Sequence, residues 1–68
     1  MERYYVNRNT QSNGDHEVHV ETCSCIPSLD NKEDLGSFYS CQSAVQEAMR
    51  RGYNANGCAI CCPDSHTT

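Results

Sequence analysis

Several things are scarce in this chain, and each scarcity excludes something. Cations are few and scattered: five Lys and Arg stand against nine Asp and Glu, a formal net charge of −4 at pH 7. A nucleic-acid footprint or a polybasic membrane-surface site needs clustered Lys and Arg, so neither partner is expected. No apolar run approaches the roughly 20 residues of a membrane-spanning helix. Behind Met1 there is no apolar segment of the kind that forms a secretory signal. The expected location is therefore cytoplasmic, where thiols stay reduced and cysteine clusters more often hold metal. A mature secreted fragment given a new Met would read the same way. No internal repeat is visible, and one domain spanning residues 1–68 is expected.

Apolar bulk is also short. The sizeable apolar side chains, from Val6 through Val18, Val20, Leu35, Phe38 and Val45 to Ile60, make a small core for 68 residues. A chain of this size usually adds a staple, either disulfides or a metal. Cysteine is what the sequence has in plenty: six residues, three of them in the tail Cys58-Ala59-Ile60-Cys61-Cys62. Only Ala59 and Ile60 in that tail could add to an apolar core, so its order is expected to come from sulfur chemistry.

Local pattern gives an outline of the fold. Arg3 to Arg8 reads as a strand through the β-prone Tyr-Tyr-Val. Asn13-Gly14 suits a turn with positive φ. His16 to Thr22 then alternates with period two, placing His16, Val18, Val20 and Thr22 on one face and Glu17, His19, Glu21 and Cys23 on the other. The two strands predict an antiparallel hairpin, with His19 among acids on the solvent side. Cys23 to Asp34 is a loop by composition, and Leu35 to Tyr39 predicts a short third strand. Ser40 is a suitable N-cap, after which Cys41, Ala44, Val45, Ala48 and Met49 form one helical stripe. Gly52 suits the position after the helix. A further short strand is placed at Cys58–Cys61. The expected fold class is α+β: a small antiparallel sheet with one helix packed across it and a cysteine-rich tail.

The cysteines admit three states: ligands to a metal, half-cystines, or free thiols. Cys58-Ala-Ile-Cys61 is a Cys-x-x-Cys, a spacing that lets a tight turn aim two sulfurs at one ion. His66 follows closely and Pro63 helps the chain turn toward it. A fourth ligand would come from Cys23 or Cys41, and at the first turn of a helix Cys41 gains thiolate character from the orphan N–H groups. One structural zinc is the cofactor this predicts. As disulfides, six cysteines admit fifteen connectivities, with adjacent Cys61 and Cys62 reaching different partners. A Cys–His nucleophile could be drawn from Cys41 or Cys62 with His66 or His16, but no third orienting group accompanies it. The Cys-x-x-Cys follows the last helix, whereas thioredoxin-like sites precede one. No enzymatic activity is expected.

The blocks Tyr4-Tyr5-Val6-Asn7, Gly14-Asp15-His16-Glu17-Val18-His19, Leu35-Gly36-Ser37-Phe38 and Gly57-Cys58-Ala59-Ile60-Cys61 with His66-Thr67 together resemble a family of small bacterial proteins to which no activity is attached. The resemblance covers most of the chain and implies a single-domain bacterial protein. It also brings His16, Glu17, His19, Cys23, Cys58, Cys61 and His66 together as a group of interest. The chain departs from the family pattern at Ser65, where members often carry a cysteine, and has Cys62 three positions earlier.

The expected function is a non-enzymatic binding or interaction module folded around zinc. Its metal ligands would be Cys58, Cys61 and His66 with Cys23 or Cys41, and His16, Glu17 and His19 would be binding residues. The alternatives are a disulfide-stapled domain acting outside the reducing cytosol, or a thiol-redox protein using Cys58 and Cys61. The expected partner is a protein or peptide, and an open strand edge also suits a homodimer.

Overall fold

The computed structural model of the chain describes residues 1–66. Strands β1 (Glu2–Asn7) and β2 (His16–Val20) form the predicted antiparallel hairpin, with Tyr4 opposite Val20 and Val6 opposite Val18. Strand β3 (Lys32–Phe38) pairs antiparallel with the outer side of β1. On the far side of β2, the short β4 (Ala55–Gly57) runs parallel to it, giving the order β3-β1-β2-β4. With helix α1 (Cys41–Arg50), this is an α+β fold on a four-stranded mixed sheet.

The helix begins and ends where its sequence dictates. The Ser40 hydroxyl accepts a hydrogen bond from the Ser43 N–H at 3.3 Å. At the other end Gly52 takes φ +100°, a conformation that costs glycine nothing. This lets the Tyr53 N–H reach the Ala48 carbonyl at 3.1 Å and the Gly52 N–H reach Met49 at 3.0 Å, closing the helix with a Schellman motif. Ala44, Val45 and Ala48 then pack on Tyr4, Val6, Val18 and Leu35 to form the core. Met49, expected on this stripe, is 54% exposed because it lies at the stripe's edge. Ile60, expected to help the core, is 69% exposed on the outside of the tail.

Two strands differ from the sequence reading. β3 starts at Lys32, inside the segment that composition marks as a loop. Long-range pairing holds that polar start in place: Arg3 to Asp34 at 2.8 Å, Arg51 to Glu33 at 2.8 Å, and the Tyr53 hydroxyl donating to Glu33 at 2.6 Å. The strand near the tail is Ala55–Gly57 rather than Cys58–Cys61, because the chain turns away from the sheet at the first cysteine.

Cys41 and Cys62 form a disulfide with Cα atoms 5.9 Å apart. It fixes the first residue of α1 to the tail, and Cys62 joins the core beneath it. This corrects the reading of Cys41 as a fourth metal ligand, since its sulfur is already bonded.

Candidate metal centre

β2 carries Val18 into the core, so by strand alternation His19 points to the opposite face. The sequence reading places His19 in solvent, but it is only 1% exposed. The reason is long-range: two segments fold over that face, each bringing cysteines. After β2 the chain turns at once, the Cys23 N–H donating to the Val20 carbonyl at 3.0 Å. After β4 the Cys58 N–H donates to Val18 at 3.0 Å, holding Cys58 alongside β2. The Cys62 N–H then donates to the Cys58 carbonyl at 2.8 Å, and this turn returns Cys61 to the same place.

The result is a four-residue cluster. His19, Cys23, Cys58 and Cys61 each offer a ligand atom, and these atoms all lie within 4.8 Å of one another. The Cys23 and Cys58 sulfurs are 4.0 Å apart, and Cys61 Sγ is 4.0 Å from His19 Nδ1. A tetrahedral zinc with Zn–S bonds near 2.3 Å sets its sulfurs about 3.8 Å apart. The cluster therefore has the size of a mononuclear tetrahedral site. A two-iron cluster divides its ligands between two metals and needs a wider spread.

The surroundings are suited to the same chemistry. His19 Nε2 is buried without a hydrogen-bond partner among the described residues, and Glu17 Oε1 lies 3.5 Å away. Burial holds the His19 pKa below its ordinary value despite the pull of Glu17, which keeps the ring in the neutral form that ligates. The Cys25 N–H donates to Cys23 Sγ at 3.4 Å, the kind of contact that steadies a thiolate. Burial pushes the Cys61 thiol up to about 12, and neighbouring Cys23 and Cys58 add to the effect. Without a cation, negative charge on Cys61 is strongly disfavoured here.

Other residues singled out in the sequence lie elsewhere. His66 Nδ1 donates to the Gly57 carbonyl at 3.0 Å and so braces the tail outside the cluster. Its neighbour in the quoted pattern, Thr67, lies outside the described residues. His16 Nδ1 donates to the Asn7 carbonyl at 2.9 Å, and the ring stands edge-on to Tyr53. Glu17 reaches the cluster only through His19. Cys25 is exposed and Cys41 is in the disulfide. Period-two alternation put His19 and Cys23 on one face in the sequence reading, but β2 ends at Val20 and it is the turn after it that brings Cys23 to His19.

The described residues contain no helix long and apolar enough to cross a membrane. No protein-family model, curated protein or solved structure matches the chain, so the resemblance to a bacterial family gains nothing beyond the residues quoted for it.

Proposed function

We propose that this protein is a small non-enzymatic binding module whose fold is completed by one structural zinc ion. The observation that carries the reading is the convergence of four ligand atoms within 4.8 Å, three of the four residues buried, around a histidine whose outer nitrogen has no hydrogen-bond partner. Sulfur-rich tetrahedral donor sets favour zinc among the common divalent ions. A set of four protein ligands leaves no open position for substrate, which is the pattern of structural rather than catalytic zinc. His19 would bind through Nδ1, and its Nε2–H would turn to Glu17, the carboxylate–histidine pairing that orients metal-bound imidazoles.

The partner proposed is a protein or peptide. On the β3 edge, Arg51 donates to the Asp34 and Leu35 carbonyls, so strand addition or a homodimer through that stretch would have to displace it.

Native mass spectrometry of protein made in zinc-supplemented medium tests the proposal. One zinc per chain should be present and should leave on acidification. Alkylation of the denatured, unreduced apoprotein should then label Cys23, Cys25, Cys58 and Cys61 and spare the bridged pair. Cys58→Ser and His19→Gln should lose zinc, whereas Cys25→Ser should keep it. A metal-free protein whose thermal midpoint ignores chelator would end this reading.

A further inference from the structure

Resting on the zinc reading, the second question is how the metal enters and leaves. His19, Cys23 and Cys58 are 1%, 7% and 2% exposed, while Cys61 alone of the four is partly open. Cys61 also lines a cavity of about 370 Å³, whose walls include Tyr4, Cys41, Gln42, Cys62 and Asp64. Two of those walls are linked by the Cys41–Cys62 bond, and Cys61 Sγ lies 3.8 Å from Cys62 Sγ. The cavity therefore touches the centre at one ligand residue and is framed by a covalent strut.

We infer that this cavity is a metal-exchange port, taking a small soft-donor ligand of the thiolate or aromatic-nitrogen class that carries zinc to or from the site. The four protein ligands leave no open position, so on this inference exchange would need an incoming donor to add as a transient fifth ligand before a resident ligand departs. Removal would begin when the donor's lone pair forms a bond to the metal from the cavity side. The Cys61–zinc bond would then break and Cys61 take a proton from solvent. Further donor atoms of the incoming chelate would then replace Cys23, Cys58 and His19 in turn, the two thiolates also taking protons. No oxidation state changes. His19, Cys23 and Cys58 offer no comparable opening, being covered by β2 and the two segments folded over it. The volume is at the low end for small-molecule sites, so it admits a chelate-sized molecule and not a folded domain.

The test follows zinc transfer from the holoprotein to the dye 4-(2-pyridylazo)resorcinol by stopped-flow absorbance. The dye carries no thiol and leaves the disulfide alone. The observed rate constant should rise in proportion to dye concentration. Gln42→Trp, which adds bulk to an exposed wall of the cavity, should slow transfer several-fold at unchanged equilibrium zinc affinity. Leu29→Trp, on an exposed residue outside the cavity, should change neither. A rate constant independent of dye concentration would mean that the metal leaves by spontaneous opening of the tail, and would overturn the inference. So would full-speed transfer from Gln42→Trp or, if that variant does not fold, from Asp64→Trp on another wall. A preparation that binds no zinc is recognised before any transfer is measured, and it overturns the underlying reading.

Discussion

Removing the Cys41–Cys62 bridge should destabilise the folded state by about 3 kcal/mol. The bridged residues are 21 apart in sequence. Closing a loop of that length in the unfolded chain removes about 11 cal/mol/K, or about 3.3 kcal/mol at 25 °C. The clean perturbation is the double variant Cys41→Ala/Cys62→Ala. A single replacement would leave a new thiol at Cys62, with its sulfur 3.8 Å from Cys61 and beside the metal cluster. Losing the sulfurs adds a packing cost, since Cys62 is 3% exposed in the core. The tail keeps two other restraints, the Cys62 N–H bond to Cys58 and the His66 bond to Gly57. The folded state should therefore persist, and most of the loss should arise in the unfolded ensemble. Urea unfolding followed by far-UV circular dichroism, with zinc in excess, measures the difference. The slope m should also rise, because the unbridged chain exposes more surface when unfolded. A difference under about 1 kcal/mol with an unchanged slope would refute the reasoning, because a bridge with so little effect constrains nothing in the unfolded chain.

Glu17→Gln should lower zinc affinity by about 10–100-fold through loss of His19 orientation, measured by competition with a chromophoric chelator; unchanged affinity would remove Glu17 from the centre. Gly57→Ala should destabilise by about 1–3 kcal/mol in thermal unfolding, because a Cβ there would meet Ser65 Cβ at 2.8 Å and the Cys62 carbonyl oxygen at 2.9 Å. The Glu33 pKa is held below its ordinary value by hydrogen bonds from Tyr53 and Arg51. Its contribution to stability is thus present above the unfolded carboxyl pKa of about 4.3 and lost as pH falls through the folded value. Glu33→Gln should flatten that part of the stability–pH curve, and an unchanged curve would mean that the pairing adds nothing. Reoxidation of the reduced, denatured protein should give a single Cys41–Cys62 product with zinc present and mixed disulfides without it, as read by peptide mapping.

The hairpin and helix were legible because their signals are local. Alternation over His16–Val20 and the Ser40-to-Gly52 run, with a cap at each end, state an element within a dozen residues. β3 and β4 were not legible in the same way. Lys32-Glu33-Asp34 carries no strand propensity, and its extended form depends on Arg3, Arg51 and Tyr53, which are remote in sequence. Ala55-Asn56-Gly57 is a strand only because β2 offers it a parallel edge.

The centre was legible at its cysteines and not at its histidine. Cys58 and Cys61 announce themselves by spacing and Cys23 stands among the candidate ligands, but His19 looked like a surface residue because two of the three cysteines that cover it are remote in sequence. Its cover comes from the residues it faces, Cys23 after β2 and Cys58 and Cys61 after β4. The site and the burial of the histidine are thus one event, and neither exists in the hairpin alone. The same geometry bears on pairing. Six thiols admit fifteen connectivities, but a metal holding Cys23, Cys58 and Cys61 leaves only Cys25, Cys41 and Cys62. Cys25 is exposed beyond the cluster, whereas Cys41 sits at the start of α1, where the turn closed by Cys62 delivers its partner. On the zinc reading, metal binding and disulfide formation would therefore support each other: the ion would keep the wrong sulfurs occupied, and the bridge holds the ligand turn against the helix.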